Sequence, residues 1–289
     1  MTRTLFTGSL VRTAAGPQGN ALLVEDGTVV AVGDRNALRA GATEVVFAGK
    51  VLLPGLRDAH LHPVGYAATL RGATLANARD FDDVIARMQA TAKTAPPPAP
   101  VLGLRLNEET LAERHLPDRN VLDAAVSDRP ALAHRYCGHV AVANTAALQL
   151  AGIDAATPDP EGGVIDRDAA GNPTGVLRET AIELVSESLG DGNRISSAEM
   201  VSALERLAAV GITSVGAMLR PGSGVWASLG NEVEIAAEAA ARMPIRMGAY
   251  VIDDDPDGVA VNKAKIDAAG GRLRWLGIKR FGDGSFGGH

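Results

Sequence analysis

The sequence predicts an α/β fold: a (β/α)8 barrel, incomplete in this chain, preceded by a small β domain. Three observations carry that expectation. Short β-branched runs fill the first fifty residues, apolar strands alternate with helical patterns after Lys50, and one hairpin interrupts the alternation near residues 161–178. The expected division is residues 1–50 for part of the small β domain and 51–289 for the N-terminal portion of the barrel.

The first run is Thr4–Arg12. Ala21–Glu25 and Thr28–Val32 then flank Asp26-Gly27, and an Asp-Gly pair between β-branched runs is a hairpin signal because a type I′ turn needs positive φ at both central residues. Val45–Phe47 is a further short strand. Beyond Lys50 the expected strands are Val51–Leu61, Val101–Leu106, Ala131–Tyr136, Ile212–Met218, Ile245–Ile252 and Trp275–Phe281. Helical patterns lie between them at Phe81–Thr94, Asn144–Ala151, Ala198–Val210, Val233–Arg242 and Gly258–Ala269. Such alternation implies a parallel sheet with right-handed crossovers. Ala95–Pro100 reads as a stiff loop between a helix and a strand. Gly163–Arg167 and Gly175–Arg178 flank a Gly-Asn-Pro turn, which is expected to stand above the barrel where substrate loops sit.

Composition excludes several classes. With 46% hydrophobic and 21% charged residues, the 289-residue chain is expected to be a soluble folded protein. No apolar run approaches the roughly 20 residues that span a bilayer. The start carries no secretory pattern, so a cytoplasmic location and no membrane partner are expected. A net charge of −6 and 3% aromatics argue against nucleic acid. The single Cys137 excludes an internal disulfide.

Few residues carry chemistry. His60 and His62 stand at i and i+2, so on a strand both imidazoles share a face and can share one metal ion, with zinc suited to nitrogen ligands. The alternative is two unrelated histidines near a turn. Lys279 sits in an apolar run, where it is either a solvated edge residue or an inward lysine that must be paired or neutralised. Glu179 either favours the N-terminus of a helix over Thr180–Ser188 or serves the site. His139 is a substrate-facing donor or a structural histidine. Asp283, with Gly284 and Ser285, cradles substrate or marks a tight exit from a strand. Cys137 reads as a small packing residue with no activating neighbour in sequence, and His115 as a surface residue.

Pro54-Gly-Leu-Arg-Asp-Ala-His60-Leu-His62-Pro63 resembles the first-strand signature of the amidohydrolase superfamily. Gly138-His139 with Asn144–Leu148, the hairpin Gly162–Arg178 with Glu179, Gly211–Val215 and Ile278–Ser285 resemble further blocks of its amidohydrolase-3 branch, which includes N-substituted formamide deformylases. Where that branch has an aspartate, this chain has Cys137. The resemblance implies a metal-dependent hydrolase of small amides, formamides or cyclic amides, with one or two divalent ions held by His60, His62 and a carboxylated, bridging Lys279, and with His139, Glu179 and Asp283 as catalytic residues. It also implies later strands carrying two more histidines and an aspartate. A second chain supplying the rest of the barrel, and an oligomer, are therefore expected. Two alternatives stand beside this: a non-catalytic subunit of a split or processed complex, and an N-terminal-threonine hydrolase formed by cleavage after His289.

Overall fold

The computed structural model describes residues 2–95, 97–222 and 229–280. Contacts divide the chain into two units, Met1–Leu56 and Arg57–His289. In the first, β1 (Arg3–Thr13), β2 (Gly16–Glu25) and β3 (Thr28–Gly33) form an antiparallel meander. After a short helix α1 (Arg35–Leu38), β4 (Thr43–Val46) and β5 (Val51–Leu52) pair parallel to β1. Asp26 and Gly27 have φ of 46° and 82°, the two positive values a type I′ turn demands. Leu5, Ala21 and Leu23 are the buried core, with Ala31, Leu38 and Ala42 packed around them.

The run 51–61, expected as one strand, is two. Proline has no N–H to give a ladder, and Pro54-Gly55 breaks the pairing, leaving Val51–Leu52 on β1 while β6 (Leu56–Leu61) leads into the second unit.

That unit continues with α2 (Pro63–Arg71), β7 (Ala73–Thr74), α3 (Phe81–Thr94), β8 (Val101–Leu106), α4 (Arg119–Ala125) and β9 (Ala131–Arg135). Next come β10 (Val140–Ala143), α5 (Thr145–Leu150), the hairpin β11 (Gly163–Arg167) and β12 (Pro173–Glu179), and α6 (Ala181–Ser188). It closes with α7 (Ser197–Ala209), β13 (Ile212–Leu219), α8 (Glu232–Ala239), β14 (Arg246–Val251), α9 (Pro256–Ala269) and β15 (Leu273–Ile278). One sheet runs β15-β14-β13-β6 and the other β11-β12-β10-β9-β8-β7. β13, β14 and β15 are mutually parallel, as are β7, β8 and β9, whereas β10, β12 and β11 join antiparallel. Among the described residues no ladder joins the two sheets, so the α/β rhythm is present there without a closed ring of eight strands.

Helices form where caps and apolar spacing agree. Asp80 accepts the Asp83 N–H at 2.8 Å to start α3, which buries Val84 and Met88 at i and i+4. Ser196 and Glu199 make a reciprocal capping box on α7, whose Met200, Ala203 and Leu204 face the main core. Asn144, fully buried, caps α5 through the Ala147 N–H and accepts the Ala131 N–H, both at 2.9 Å. Its amide donates to the Val126 and Arg129 carbonyls at 2.7 and 2.9 Å. The Asn144–Leu148 block is thus a structural knot beneath the site. Gly175 in the hairpin has φ +97°, and a Cβ there would lie 2.5 Å from the Ala143 carbonyl oxygen, so β12 packs against β10 only with glycine at that place. No helix among the described residues is long and apolar enough to cross a membrane.

Candidate active site

The residues of interest collect where parallel strands end. β6 stops at Leu61 and His62 follows; β9 stops at Arg135 before Tyr136; β13 stops at Leu219 before Arg220; β15 stops at Ile278 before Lys279. The C-terminal ends of parallel strands are where ligands bind in such folds. A cavity of about 500 Å³ opens there, with His62, His134, His139, Glu179, Arg220 and Glu232 in its wall.

His60 and His62 are not both on the strand, contrary to the expected spacing on one face. Pro63 opens α2 at its first turn, and a residue before proline is held extended, so His62 is the N-cap residue with φ −102° and ψ 89°. The rings still lie side by side, 5.6 Å between centroids and tilted 57°. His62 lines the cavity and is exposed there. Partial desolvation by the surrounding protein, followed by the charges of His60, Arg220 and Lys279, lowers its pKa to about 4. The neutral imidazole that metals bind is therefore the resting form.

Lys279 lies just beyond β15 rather than inside it, although its N–H still donates to the Val251 carbonyl at 2.8 Å. The side chain is half-buried and its charge acts on His62. Asp283 lies outside the described residues. Among those described, no group of three or more His, Cys, Asp and Glu side chains is placed to hold one ion.

His139 and Glu179 form a pair. Nδ1 of His139 is 2.7 Å from Oε2 of Glu179, and the Glu179 N–H donates to the His139 carbonyl at 2.9 Å. Glu179 closes β12 with φ +51° and caps no helix: the N-cap of α6 is Thr180. A carboxylate only accepts, so Nδ1 carries the proton and Nε2 is left for the cavity.

Cys137 is more than packing. Its sulfur accepts from Arg135 at 3.3 Å and from the His139 N–H at 3.5 Å, two donors that an aspartate at this place would also satisfy. His115 is exposed, its ring edge-on to Phe81.

Sequence reasoning passed over Arg105, Arg220 and Glu232. Glu232 begins α8 and reads in sequence as an ordinary first-turn acid; the signal was a strand-terminal Arg220 facing a helix start twelve residues on. In the fold its Oε2 accepts the Arg220 N–H at 2.8 Å, and the residue is 3% exposed. Burial raises its pKa to about 7, against the pull of Arg220. His134, also buried, is pushed down to about 4 by desolvation.

A raised carboxyl means that the fold stabilises the protonated form. The contribution is complete below the ordinary carboxylate range and is lost as pH climbs through about 7. Glu232→Gln is therefore expected to match the wild type in Tm near pH 5 and exceed it by several degrees at pH 8, a gap of a few kcal/mol on the order of 1.4 kcal/mol per pKa unit. The opposite trend from His62 and His134, which favour the folded state as pH rises, is common to both proteins and cancels. Parallel melting curves from pH 5 to 8 would refute this.

Comparison with known proteins places these features. A family profile described as "Amidohydrolase family" matches residues 47–289. The chain is 32% identical over 179 residues to putative amidohydrolase YtcJ of Bacillus subtilis (strain 168), covering 60% of this chain and 34% of that one. It is 32% identical over 241 residues to N-substituted formamide deformylase of Arthrobacter pascens, covering 78% of this chain and 43% of the relative. A crystal structure of an uncharacterized metal-dependent hydrolase from Pyrococcus horikoshii OT3 superposes with a TM-score of 0.68 at 23% identity, over 99% of this chain and 56% of that one. The chain thus spans well under two thirds of the length of each of these proteins.

Proposed function

Since the chain belongs to the amidohydrolase family, in its amidohydrolase-3 branch, we propose that it supplies the N-terminal part of the site of a metal-dependent hydrolase that cleaves the C–N bond of an amide, formamide or cyclic amide. The observation that carries this reading is a single cavity lined by His62 and by the His139–Glu179 pair, with the His60 ring beside His62 and the Lys279 charge acting on it. The similarity to a formamide deformylase favours formamides.

The residues present fit a divalent ion, zinc being the best match to two imidazole ligands. His60 and His62 would hold it, and Lys279, once carboxylated, would add an anionic oxygen and admit a second ion. When bound, such an ion lowers the pKa of water and polarises a carbonyl. His139, kept in one tautomer by Glu179, orients the substrate and exchanges a proton at Nε2. Arg220 and Glu232 also line the cavity. Asp283 stays a candidate substrate contact. A second chain carrying the remaining donors, and an oligomer, are part of the proposal. The alternative reading is a non-catalytic subunit of such a complex.

Formate release from N-benzylformamide by the assembled protein separates the two. Lys279→Ala is expected to reduce that release about a hundredfold or more, and added short carboxylic acids should restore part of it. Loss without rescue would remove the carboxylated lysine from the proposal, and no release by the assembled wild type would favour the subunit.

A further inference from the structure

We propose that Arg105 is the specificity residue of this cavity and that it selects substrates bearing a carboxylate, which presupposes the hydrolase reading above. Arg105 stands near the C-terminal end of β8 with φ +65°, a left-handed conformation that costs an arginine energy and that glycine adopts freely. Four non-glycine residues among those described have positive φ. Asp26 makes a hairpin turn and Arg114 lies in a loop, while the other two, Arg105 and Glu179, line the cavity.

The strain has a local cause. Gly103 pairs with Ala133 and Leu106 with Arg135, so Leu104 and Arg105 together oppose His134. This is a β-bulge, a device that re-aims a side chain. The buried Leu104 and Leu106 pin the backbone on each side, and the bulged residue is turned into the cavity wall.

Arg105 is exposed there and its side chain makes no hydrogen bond or ion pair among the described residues. The neighbouring Arg135 is committed: Glu108 grips it with two oxygens at 2.7 and 2.9 Å, and its guanidinium lies 4.6 Å from the Tyr136 ring centre. A strained arginine that anchors nothing in the fold has its planar fork of donors open for a ligand, and a carboxylate matches that fork with two parallel bonds. Glu179 and Glu183 also line the cavity and repel a carboxylate from their own surroundings. An anionic substituent is thus directed to Arg105, which fixes which end of the substrate approaches His62 and His139.

The test uses two probes that differ only in the charge, 4-(formamidomethyl)benzoate and N-benzylformamide, titrated calorimetrically into the full chain as purified. The wild type is expected to bind the carboxylate about tenfold more tightly. Arg105→Gln should erase that difference. Arg105→Gly should erase it too while holding or raising Tm, because glycine relieves the left-handed strain; a merely structural arginine would lower Tm instead. Equal binding of the probes by the wild type, no detectable binding of the carboxylate, or a preference that survives both substitutions would overturn the proposal. Formate release by the assembled protein, measured alongside, keeps the two readings apart. Arg105-dependent binding without hydrolysis of either probe would discard the hydrolase and keep the anion site, whereas hydrolysis without charge preference would do the reverse.

Discussion

Replacing His60 and His62 together by alanine is expected to strip divalent metal from the assembled protein, leaving less than about a tenth of an ion per site where the wild type holds one or two. Two imidazoles 5.6 Å apart are the histidine donors that this chain brings side by side. Losing the outer partners of a metal ligand already costs roughly 10–100-fold in affinity, and removing two ligands outright should cost at least about a thousandfold. His62→Ala is expected to do more harm than His60→Ala. His62 faces the cavity and is held neutral, ready to bind without first losing a proton. Elemental analysis after dialysis is the measurement, with His115→Ala as the control because that ring packs on Phe81 away from the cavity. Metal content unchanged in the double variant would remove both residues from the site.

Asn144→Ala should give the largest loss of stability of any single polar substitution considered. One side chain satisfies two N–H groups and two carbonyls in a fully buried setting. Alanine strands all four. Each orphaned buried group costs about 1–3 kcal/mol, and with partial relaxation the sum should fall near 3–5 kcal/mol. For a unit of this size that is roughly 8–15 °C in Tm. Asn144→Asp keeps the two accepted bonds but turns a carboxylate oxygen on the Val126 and Arg129 carbonyls, so it should be no better. Melting within 2 °C of the wild type, about 1 kcal/mol at this size, would show that water replaces the amide.

Much of the fold is legible because periodicity and turn chemistry agree. Phe81–Thr94 is a helix with the limits its apolar spacing implies, the Asp26-Gly27 hairpin forms as its φ requirement dictates, and the strand of Gly163–Arg167 has its expected ends. What was missed lies where one residue type carries two meanings. Pro63 ends a strand in sequence and also starts α2, which moved His62 off the strand face. Val140–Ala143 is too short a run to separate from the helix after it, yet it forms β10 and turns the sheet antiparallel. The His139–Glu179 contact spans forty residues and follows from pairing register, which no local pattern encodes. Arg105 was hidden for a similar reason: a bulge depends on how two strands align, and β8 alone reads as regular.

The hairpin that delivers Glu179 also separates two jobs along its length. Asp168 ties off the tip by accepting the Ala170 and Asn172 N–H groups, both at 2.9 Å, while Glu179 sits at the far end of β12. Seven residues of strand put roughly 20 Å between them. The tip is therefore a natural splice point: a peptide tag, a fluorophore-bearing cysteine or a loop exchanged from a relative can be grafted over Asp168–Asn172 without disturbing the end of the ladder that holds the histidine.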